Sequence, residues 1–336
     1  MSLRVAVIGC GNIGAKRAAA VDSHAGSRLI LAADVSADRA GAVATRFGGT
    51  PSNDWEQALR PGIDVAVVAV PTKAAPAIIL ALIDAGKHVL CEKPLGRTLE
   101  EAREITERAA ARGVVLETGF NLRYDPGLQE AHETVASGKI GSPYFLTCDY
   151  VNGTALTNTN EVGSLLDMGI HSIDLALWFL GGADRVSGAL SRFEHSRDDN
   201  GFAMLHKGPV TAQLHFSFLR WRNRFHLEVS GSEGYVRVES LPKWGEQTVT
   251  VGARVRPSGA PVERQLAFTG DASWDRQWDH FVRCVAGQTS PDMERGLRSM
   301  LIASRIKESS DAGRALDVSA EDPASPTELL PTGGPR

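Results

Sequence analysis

Three residues of this sequence are of types that move protons or stabilise charge. Lys93 stands near the end of the apolar run AGKHVLCEKPLG, and Asp167 and His171 are four residues apart in SLLDMGIHSIDLALWFLGG. Histidine has the unperturbed pKa that best suits proton transfer near neutral pH, and an ammonium stabilises developing negative charge. Together these side chains could take a proton from an alcohol and stabilise the resulting alkoxide.

Each of these residues also has an ordinary structural interpretation. A lysine often closes a strand at a sheet edge, and Pro94 stops the strand by fixing its own φ. On a helix, Asp167 and His171 share one face, where the aspartate favours the helix dipole and the histidine is a satisfied core residue. A metal could also bind this pair, but no third or fourth ligand stands at a recognisable spacing, so no metal is predicted.

A glycine-rich turn, VIGCGNIG, places Gly9, Gly11 and Gly14 in GxGxxG spacing between a strand pattern and a helical pattern. Such glycines permit a tight turn, close approach of the backbone to a pyrophosphate, and close packing of helix on strand. The N-terminus of the following helix would offer N–H donors to the phosphates. The pattern predicts a dinucleotide site, to which Asn12 and Ile13 within the turn should contribute.

Asp34 ends the second strand-like run, 20 residues beyond Gly14. An acidic side chain at this position accepts hydrogen bonds from the adenosine ribose hydroxyls. The carboxylate repels a 2′-phosphate, and Val35 and Ser36 supply no arginine to bind one, so NAD is favoured over NADP. The alternative for Asp34 is an N-cap for the helix SADRAGAV, a role that Ser36 could fill instead.

The first 120 residues supply the elements that must position these side chains. Apolar runs rich in β-formers alternate with helical patterns, the runs being RVAVIG, RLILAAD, DVAVVAV, HVLCE and VVLETG. This alternation predicts a doubly wound parallel sheet covered on both faces, the Rossmann arrangement. Ligands bind such sheets at the carboxyl ends of the strands, where we expect Lys93, Val70 and Pro71.

Beyond residue 120 the pattern changes to alternating runs such as VTAQLHFSF, RFHLEVSG and GYVRVES. Period-two alternation predicts an antiparallel sheet with one wetter face. We therefore predict an α/β protein with a Rossmann domain at 1–120 and a C-terminal α/β domain at 121–318. The final helices either stay with the second domain or pack back on the first. Residues 319–336, rich in Pro, Ser, Thr and Gly, are predicted to be a mobile tail.

The composition is that of a globular chain without a nucleic-acid or membrane partner. The 336 residues carry a formal net charge of −4, with no long basic run and no apolar run long enough to span a bilayer. The 4 cysteines are far apart, which disfavours a disulfide framework and structural zinc. No standard secretion signal is recognisable, so we expect a cytoplasmic protein.

The sequence resembles the glucose-fructose oxidoreductase and inositol dehydrogenase (Gfo/Idh/MocA) family over almost its whole length. The most specific matches are the Glu92-Lys93-Pro94 signature in AGKHVLCEKPL and the D-x-x-x-H pair Asp167 and His171 in GSLLDMGIHSIDL. GFNLRYDP resembles the family's segment entering the second domain. The order and separation of the three motifs make chance agreement improbable.

The resemblance implies a C-terminal domain with a large, mostly antiparallel sheet, through which relatives form homodimers or homotetramers. It also implies NAD(P)-dependent oxidation or reduction of a secondary alcohol or ketone on a sugar, nucleotide sugar or cyclitol. In relatives, residues equivalent to Lys93, Asp167 and His171 face the nicotinamide. His171 would act as general base, Lys93 would stabilise the alkoxide, and Asp167 would orient His171 or the substrate; Lys93 and His171 could exchange roles.

The resemblance also suggests the surroundings of these groups. Glu92 is expected at the cofactor, although it could instead position the turn or pair with a nearby cation. Arg123 and Tyr124 are expected to contact substrate, although Arg123 could instead hold the domains together. Thr72 and Ala75 stand where many relatives have asparagine and histidine, and VGS replaces a glycine triplet before the aspartate helix. The segment VNGTALTNTNEVG carries no positive cluster, so a phosphorylated substrate is not indicated.

Two other functions are compatible with this architecture. One is a dinucleotide-sensing regulator without turnover, which the joint presence of Lys93, Asp167 and His171 disfavours. The other is a reductase of a non-carbohydrate substrate such as a bile pigment or dihydrodiol, which an aromatic content of 6% and the polar loop disfavour. We therefore predict an NAD-dependent dehydrogenase or ketoreductase acting on a small polyol or sugar-type substrate.

Overall fold

The computed structural model describes residues 2–153 and 162–318, which form two compact units. The first unit comprises the chain up to Asn121 together with Ala272–Met300. The second comprises Leu122–Asp271 and the described chain from Leu301 onward. The predicted tail and most of VNGTALTNTNEVG lie outside the described residues. Within those residues, no helix is long and apolar enough to cross a membrane.

The first unit is built on a parallel sheet flanked by helices. Its described strands are β1 Leu3–Ile8, β2 Ser27–Ala33, β3 Thr50–Ser52, β4 Val65–Val68, β5 His88–Cys91 and β6 Leu116–Thr118. Its helices are α1 Asn12–Ser23, α2 Ala37–Phe47, α3 Ala75–Asp84, α4 Leu99–Arg112 and, late in the chain, α7 Ser273–Val285.

The strand order in this sheet is β3-β2-β1-β4-β5-β6, with parallel pairing throughout. The predicted doubly wound sheet is therefore confirmed. The order reverses between β1 and β4, and α/β proteins of this kind bind ligands outside the carboxyl ends of the strands at such a reversal. Sequence patterning missed β3, because its three residues are too few and too exposed to show a strand period.

Helix α7 completes the core of the first unit although strands β7–β14 of the second unit (residues 143–268) precede it in sequence. Trp278 and Phe281 are almost wholly buried among residues of β1, β2 and α1. The Trp278 indole N–H also donates a hydrogen bond to Ser27 Oγ at 2.9 Å. The core of the Rossmann-type unit is thus assembled from two separate stretches of chain.

The second unit contains a nine-stranded sheet within the described residues, in the order β14-β13-β12-β11-β7-β10-β9-β8-β15. Only β7 and β10 pair in parallel in this described sheet, which confirms the predicted mostly antiparallel arrangement. The strands are β7 Pro143–Val151, β8 Arg185–Ser191, β9 Asn200–Lys207, β10 Val210–Ser217, β11 Arg224–Gly231, β12 Gly234–Glu239, β13 Gln247–Ala253, β14 Val262–Phe268 and β15 Leu316–Asp317.

Helices α5 Pro126–Ala136 and α6 Ile170–Leu180 pack on one face of this sheet, and α8 spans Arg295–Ala312. The segment before α6 was predicted as α-helix, but its first turn, Leu165–Gly169, is a π-helix. Gly169 lies against the Phe216 ring, where a Cβ would be only 2.9 Å from the ring carbon. Single π turns occur frequently at functional sites, and this one carries Asp167.

Candidate active site

The glycine-rich turn joins β1 to α1 with no space for a side chain at two of its three glycines. Gly9 has φ +90°, and a Cβ there would lie 2.3 Å from the carbonyl oxygen of Ala69. A Cβ on Gly14 would lie 1.7 Å from the carbonyl oxygen of Gly9. A Cβ on Gly11 would meet no described atom within 4 Å apart from its chain neighbours. Open space therefore lies at the N-terminus of α1, where backbone N–H groups attract phosphate.

Asp34 follows β2 directly and holds its nearly buried carboxylate among three donors. The N–H groups of Cys10 and Ser36 each donate to it at 2.8 Å, and the Arg39 guanidinium donates at 2.9 Å. Burial raises the pKa of Asp34, but these hydrogen bonds outweigh burial and keep the pKa below its usual value. The Ser36 hydroxyl caps α2, so Asp34 is not its N-cap.

A cavity of about 530 Å³ lies beside this carboxylate. Its wall includes five of the predicted cofactor residues, namely Gly9, Gly11, Asp34, Val70 and Pro71. The remaining wall is mostly apolar and includes Ile8, Ala33, Ala69 and Ile78. Of the other predicted cofactor residues, Asn12 and Ile13 are exposed in the first turn of α1.

The residues of this cavity fit the adenosine half and pyrophosphate of NAD. The volume lies within the range of about 300–1,000 Å³ typical of ligand pockets. The space at Gly11 suits the pyrophosphate, and the ionised Asp34 carboxylate stands where the ribose hydroxyls need an acceptor. Arg39, which sequence reasoning missed, also lines the cavity; its signal was a position in the first turn of α2, from which a side chain reaches back to Asp34.

Lys93 lies two residues beyond the end of β5, at the carboxyl edge of the first unit's sheet, and its peptide bond to Pro94 is cis. Backbone hydrogen bonds fix the chain on either side of this turn: Glu92 N–H donates to Val68 O at 2.9 Å, and Gly119 N–H to Cys91 O at 2.7 Å. The strand end that carries the lysine is therefore tied to its neighbours on both sides.

Glu92 forms an ion pair with the buried guanidinium of Arg17. Arg17 Nε donates to the Glu92 carboxylate at 2.7 Å, and Arg17 Nη1 donates to Gln277 on α7 at 2.9 Å. Arg17 is 1% exposed and packs over the ring of Trp274. The cation that Glu92 pairs with is thus Arg17, and the pair fixes the residue preceding Lys93.

Asp167 and His171 lie in the second unit, on the π turn and on the first turn of α6 respectively. His171 is buried, and Asp167 is half-buried. Asp198 anchors the beginning of this helix: Ser164 Oγ and the Leu165 N–H both donate to its Oδ2 at 2.8 Å. Ser164 is the serine of VGS, the segment that replaces the glycine triplet of many relatives. Its hydroxyl therefore stabilises the start of the helix by binding the Asp198 carboxylate.

An aromatic and basic group, absent from the sequence predictions, lies beside His171. The Tyr150 ring is 5.8 Å from the His171 ring, between centroids. Lys243 Nζ donates to the Tyr150 hydroxyl at 2.7 Å and lies 4.8 Å from the centre of the Trp244 ring. Tyr150 lies on β7, whereas Lys243 and Trp244 lie on the 3-10 turn Pro242–Trp244. Because these elements are far apart in sequence, no local sequence pattern predicts that they meet.

Arg123, expected to contact substrate or hold the domains together, is paired within the second unit. Its guanidinium forms a two-pronged contact with the Asp174 carboxylate, with both N–O distances 2.8 Å, and lies over the Trp178 ring. Asp174 is 1% exposed, so it requires this partner. The neighbouring Tyr124 is buried. Substrate contact by Arg123 and Tyr124 stays a prediction.

Comparison with known proteins identifies the architecture of both parts of the chain. Residues 3–120 match the model of an oxidoreductase family with an NAD-binding Rossmann fold, and residues 128–237 match a GFO/IDH/MocA C-terminal domain. Inositol 2-dehydrogenase 3 of Saccharopolyspora erythraea is 29% identical, covering 96% of this chain and 97% of its own. scyllo-Inositol 2-dehydrogenase (NAD(+)) of Bacillus subtilis is 31% identical over 86% of this chain and 88% of its own.

Among solved structures, a levoglucosan dehydrogenase in complex with NADH and L-sorbose has the same fold. It superposes with a TM-score of 0.85 at 22% sequence identity, covering 95% of this chain and 99% of that one. The similarity therefore extends through both units.

Proposed function

The chain belongs to the Gfo/Idh/MocA family of NAD-binding oxidoreductases, and from this membership we propose how its residues act. It is an NAD-dependent oxidoreductase acting on CH–OH groups, and its substrate is a cyclitol, sugar or nucleotide sugar with a secondary alcohol or the corresponding ketone. The observation that carries the proposal is the dinucleotide cavity walled by Gly11 and Asp34, in a chain whose near-full-length relatives are inositol dehydrogenases.

The first unit supplies the cofactor contacts in this proposal. The N-terminus of α1 binds the pyrophosphate in the space left by Gly11, and Asp34 accepts hydrogen bonds from the ribose hydroxyls. When bound, NAD supplies the hydride acceptor or donor. The apolar cavity wall excludes water from the adenosine, and the Arg17–Glu92 pair holds the turn that presents Lys93.

Lys93, Asp167 and His171 supply the proton and charge chemistry. In alcohol oxidation, His171 takes the hydroxyl proton as general base, a contribution of about 10²–10⁴-fold in rate. Lys93 stabilises the negative charge that develops on the same oxygen, and Asp167 orients His171 or the substrate hydroxyl. In ketone reduction the same groups act in reverse, with the proton returned to the carbonyl oxygen. Exchange of the base role between Lys93 and His171 is the alternative within this scheme.

A substrate screen tests the proposed substrate class. Sugars, inositols, aminocyclitols and nucleotide sugars are each incubated with NAD or NADP while the nicotinamide absorbance is followed. We expect NAD-dependent turnover of at least one polyol or of its ketone. Tight NAD binding without turnover of any compound would instead support the regulator, and turnover of only aromatic or polycyclic compounds would support the non-carbohydrate reductase.

Replacement of Lys93 by methionine tests the proposed site. Lys93→Met keeps the length of the side chain but removes its charge, so we expect turnover to be abolished while NAD affinity changes by no more than a few-fold. The measurements are steady-state kinetics and NAD titration by fluorescence. Lys139→Met, at an exposed position after α5, is the matched control and should remain fully active. Undiminished turnover in Lys93→Met would overturn the assignment.

The assembly and compartment form the remaining part of the proposal. We propose a homodimer or homotetramer formed through the second unit's sheet, because Phe202 and Met204 on β9 are 45% and 41% exposed on the same side of the strand. Exposed apolar side chains grouped in this way are typical of protein interfaces. The proposed compartment is the cytoplasm, since all 4 cysteines are unpaired thiols and NAD is an intracellular cofactor.

A further inference from the structure

Three side chains of metal-binding type meet inside the first unit, and none of them lines the dinucleotide cavity. Glu117 lies on β6, while His280 and Cys284 lie one turn apart on α7. His280 Nε2 is 3.4 Å from Cys284 Sγ and 3.9 Å from Glu117 Oε2. All three ligand atoms lie within 4.8 Å of one another. A carboxylate, an imidazole and a thiol are thus gathered around one point.

These separations are close to those around a tetrahedral zinc ion. With Zn–S near 2.3 Å and Zn–N and Zn–O near 2.0–2.2 Å, neighbouring ligand atoms stand roughly 3.4–3.6 Å apart. His280 Nε2 and Cys284 Sγ already stand at this separation, whereas Nε2 and Glu117 Oε2 must close by about 0.5 Å. The Glu117 oxygen and Cys284 Sγ must close by at most about 1.2 Å, which side-chain rotations supply. Residues four apart on a helix share one face, so His280 and Cys284 already point the same way.

The surroundings of Glu117 support a ligand role for one of its oxygens. Gln277 Nε2 donates to Oε1 at 2.9 Å, and Arg295 Nη1 lies 3.9 Å from the same oxygen. Oε2 is the oxygen that faces His280. A metal-bound carboxylate is commonly oriented by hydrogen bonds to its other oxygen, and those partners are part of a working site.

Two acidic ligands would offset the charge of a divalent cation in this cluster. Glu117 and Cys284 are both 4% exposed, so water would screen little of the attraction between these groups and a cation bound between them. The neutral imidazole of His280 is the form that binds metals. Cys284 would bind a metal as the thiolate, so metal binding releases the thiol proton. Arg295 and Arg283 oppose the cation, whereas the carboxylate and thiolate together contribute two negative charges.

We propose that Glu117, His280 and Cys284 bind one zinc ion that fastens α7 to β6. The mixture of sulfur, nitrogen and oxygen ligands selects zinc over the oxygen-preferring magnesium and calcium. Water takes the fourth position. The dispersed cysteines of the sequence gave no zinc pattern, because the third ligand, Glu117, stands 163 residues before His280 (280 − 117).

Cobalt substitution is a direct test, because a Co²⁺–thiolate bond gives a near-ultraviolet charge-transfer absorption that carboxylate or imidazole ligands do not. The full-length chain is first stripped with a chelator and then titrated with CoCl₂, followed by displacement with ZnCl₂. We expect one equivalent of cobalt to bind with the thiolate band, and zinc to remove the band stoichiometrically. Zinc should also raise the thermal midpoint, since a ligand that binds only the folded state stabilises it.

Two variants and one control separate the site from adventitious binding. Cys284→Ser should lose the thiolate band, and His280→Gln should bind zinc at least about tenfold more weakly in a chelator competition. His24→Gln is the matched control: His24 contacts Asp279 on the same helix and its side chain is as exposed as that of His280, 24% against 25%. It should bind zinc as the natural chain does.

Two spectroscopic results would contradict a zinc site at Glu117, His280 and Cys284. Absence of a stoichiometric thiolate band, or a band that persists in Cys284→Ser, would show that the cluster is a buried ion-pair network and nothing more. Equal weakening of zinc binding in His280→Gln and His24→Gln would have the same meaning. None of these measurements uses dehydrogenase activity, so they stand whether or not the substrate proposal holds.

Discussion

Arg39 changes how the cofactor preference must be understood at the scale of single residues. The sequence suggested that no arginine stands near Asp34, yet the Arg39 guanidinium contacts that carboxylate at the cavity wall. An arginine at this place can hold a 2′-phosphate once its partner is gone. Preference for NAD therefore depends on the carboxylate occupying Arg39, as well as on direct repulsion of the phosphate.

Asp34→Ser should shift the enzyme from NAD toward NADP. Loss of the carboxylate removes an acceptor for the ribose hydroxyls and releases Arg39 to bind the phosphate, so we expect the ratio of kcat/KM for NADP to that for NAD to rise by about 10²-fold or more, equivalent to about 3 kcal/mol. Steady-state kinetics with both cofactors measure the ratio. The double variant Asp34→Ser/Arg39→Gln is the control and should lose the gain; a gain that persists without Arg39 would contradict this explanation.

The site residues that the sequence predicts lie in local motifs, whereas those it misses are brought together only by the tertiary fold. Asp34 was placed correctly beside the cavity because glycine spacing and strand order fix its position along the chain. Arg17 and Tyr150 were missed, because Arg17 meets Glu92 across 75 residues and Tyr150 meets Lys243 across 93. Pairs of this kind are formed by the tertiary fold and leave no periodic trace in the sequence.

At the scale of elements, a side chain from a distant loop stabilises the start of the helix that carries Asp167 and His171. The Asp198 carboxylate accepts hydrogen bonds from the Ser164 hydroxyl and the Leu165 N–H. Backbone N–H groups at the start of a helix have no intrahelical partner, so the Leu165 N–H needs such an acceptor. Sequence patterning found this helix but not its π turn, because a π turn differs from an α turn by a single residue and both bury the same apolar side chains.

Asp198→Ala should loosen the start of this helix and impair the substrate side of the reaction. Loss of two hydrogen bonds at a helix start should lower the free energy of unfolding by about 1–2 kcal/mol. We also expect a higher substrate KM and a lower kcat, with NAD affinity unchanged, as measured by urea unfolding and steady-state kinetics. Thr98→Ala removes the cap of α4 in the first unit and should lower stability alone. If both variants affected kinetics equally, Asp198 would have no special part in placing Asp167 and His171.

At the scale of the whole molecule, partly buried histidines should make stability depend on pH. Burial lowers the pKa of His88, His132, His215 and His280, that of His132 to about 4 with Arg123 adding to the effect. Unfolded histidine titrates near 6.5, so the unfolded chain binds more protons below that pH. Stability is therefore complete above about pH 6.5 and falls progressively as the pH drops toward 4.

Urea unfolding between pH 5 and 7, with a chelator present, measures this dependence. We expect the free energy of unfolding to fall with decreasing pH, and His132→Gln to reduce the slope by up to about 1.4 kcal/mol per pH unit, the effect of one proton. Stability that is flat over this range, or an unaltered slope in His132→Gln, would contradict the prediction.

Assembly is the second property of the whole molecule that can be tested. Met204→Asp places a charge on the sheet face that we propose as the subunit interface, so we expect the oligomer to dissociate by at least one step in analytical ultracentrifugation. Val262→Asp on β14 is the control, because Val262 is likewise exposed, at 67%, but lies at the opposite end of the sheet order. An unchanged sedimentation coefficient in Met204→Asp would exclude this face as the interface.

The division of the first unit's core between two stretches of chain has a consequence for biosynthesis. Trp278 and Phe281 leave the ribosome only after strands β7–β14 have been made, so the β1–β6 sheet emerges without part of its apolar cover. At about 5–20 residues per second, the delay between Asn121 and the end of α7 is on the order of 10–30 s. During that interval the nascent chain exposes a hydrophobic surface that invites chaperone binding, and the nucleotide-binding half becomes stable only when translation is nearly finished.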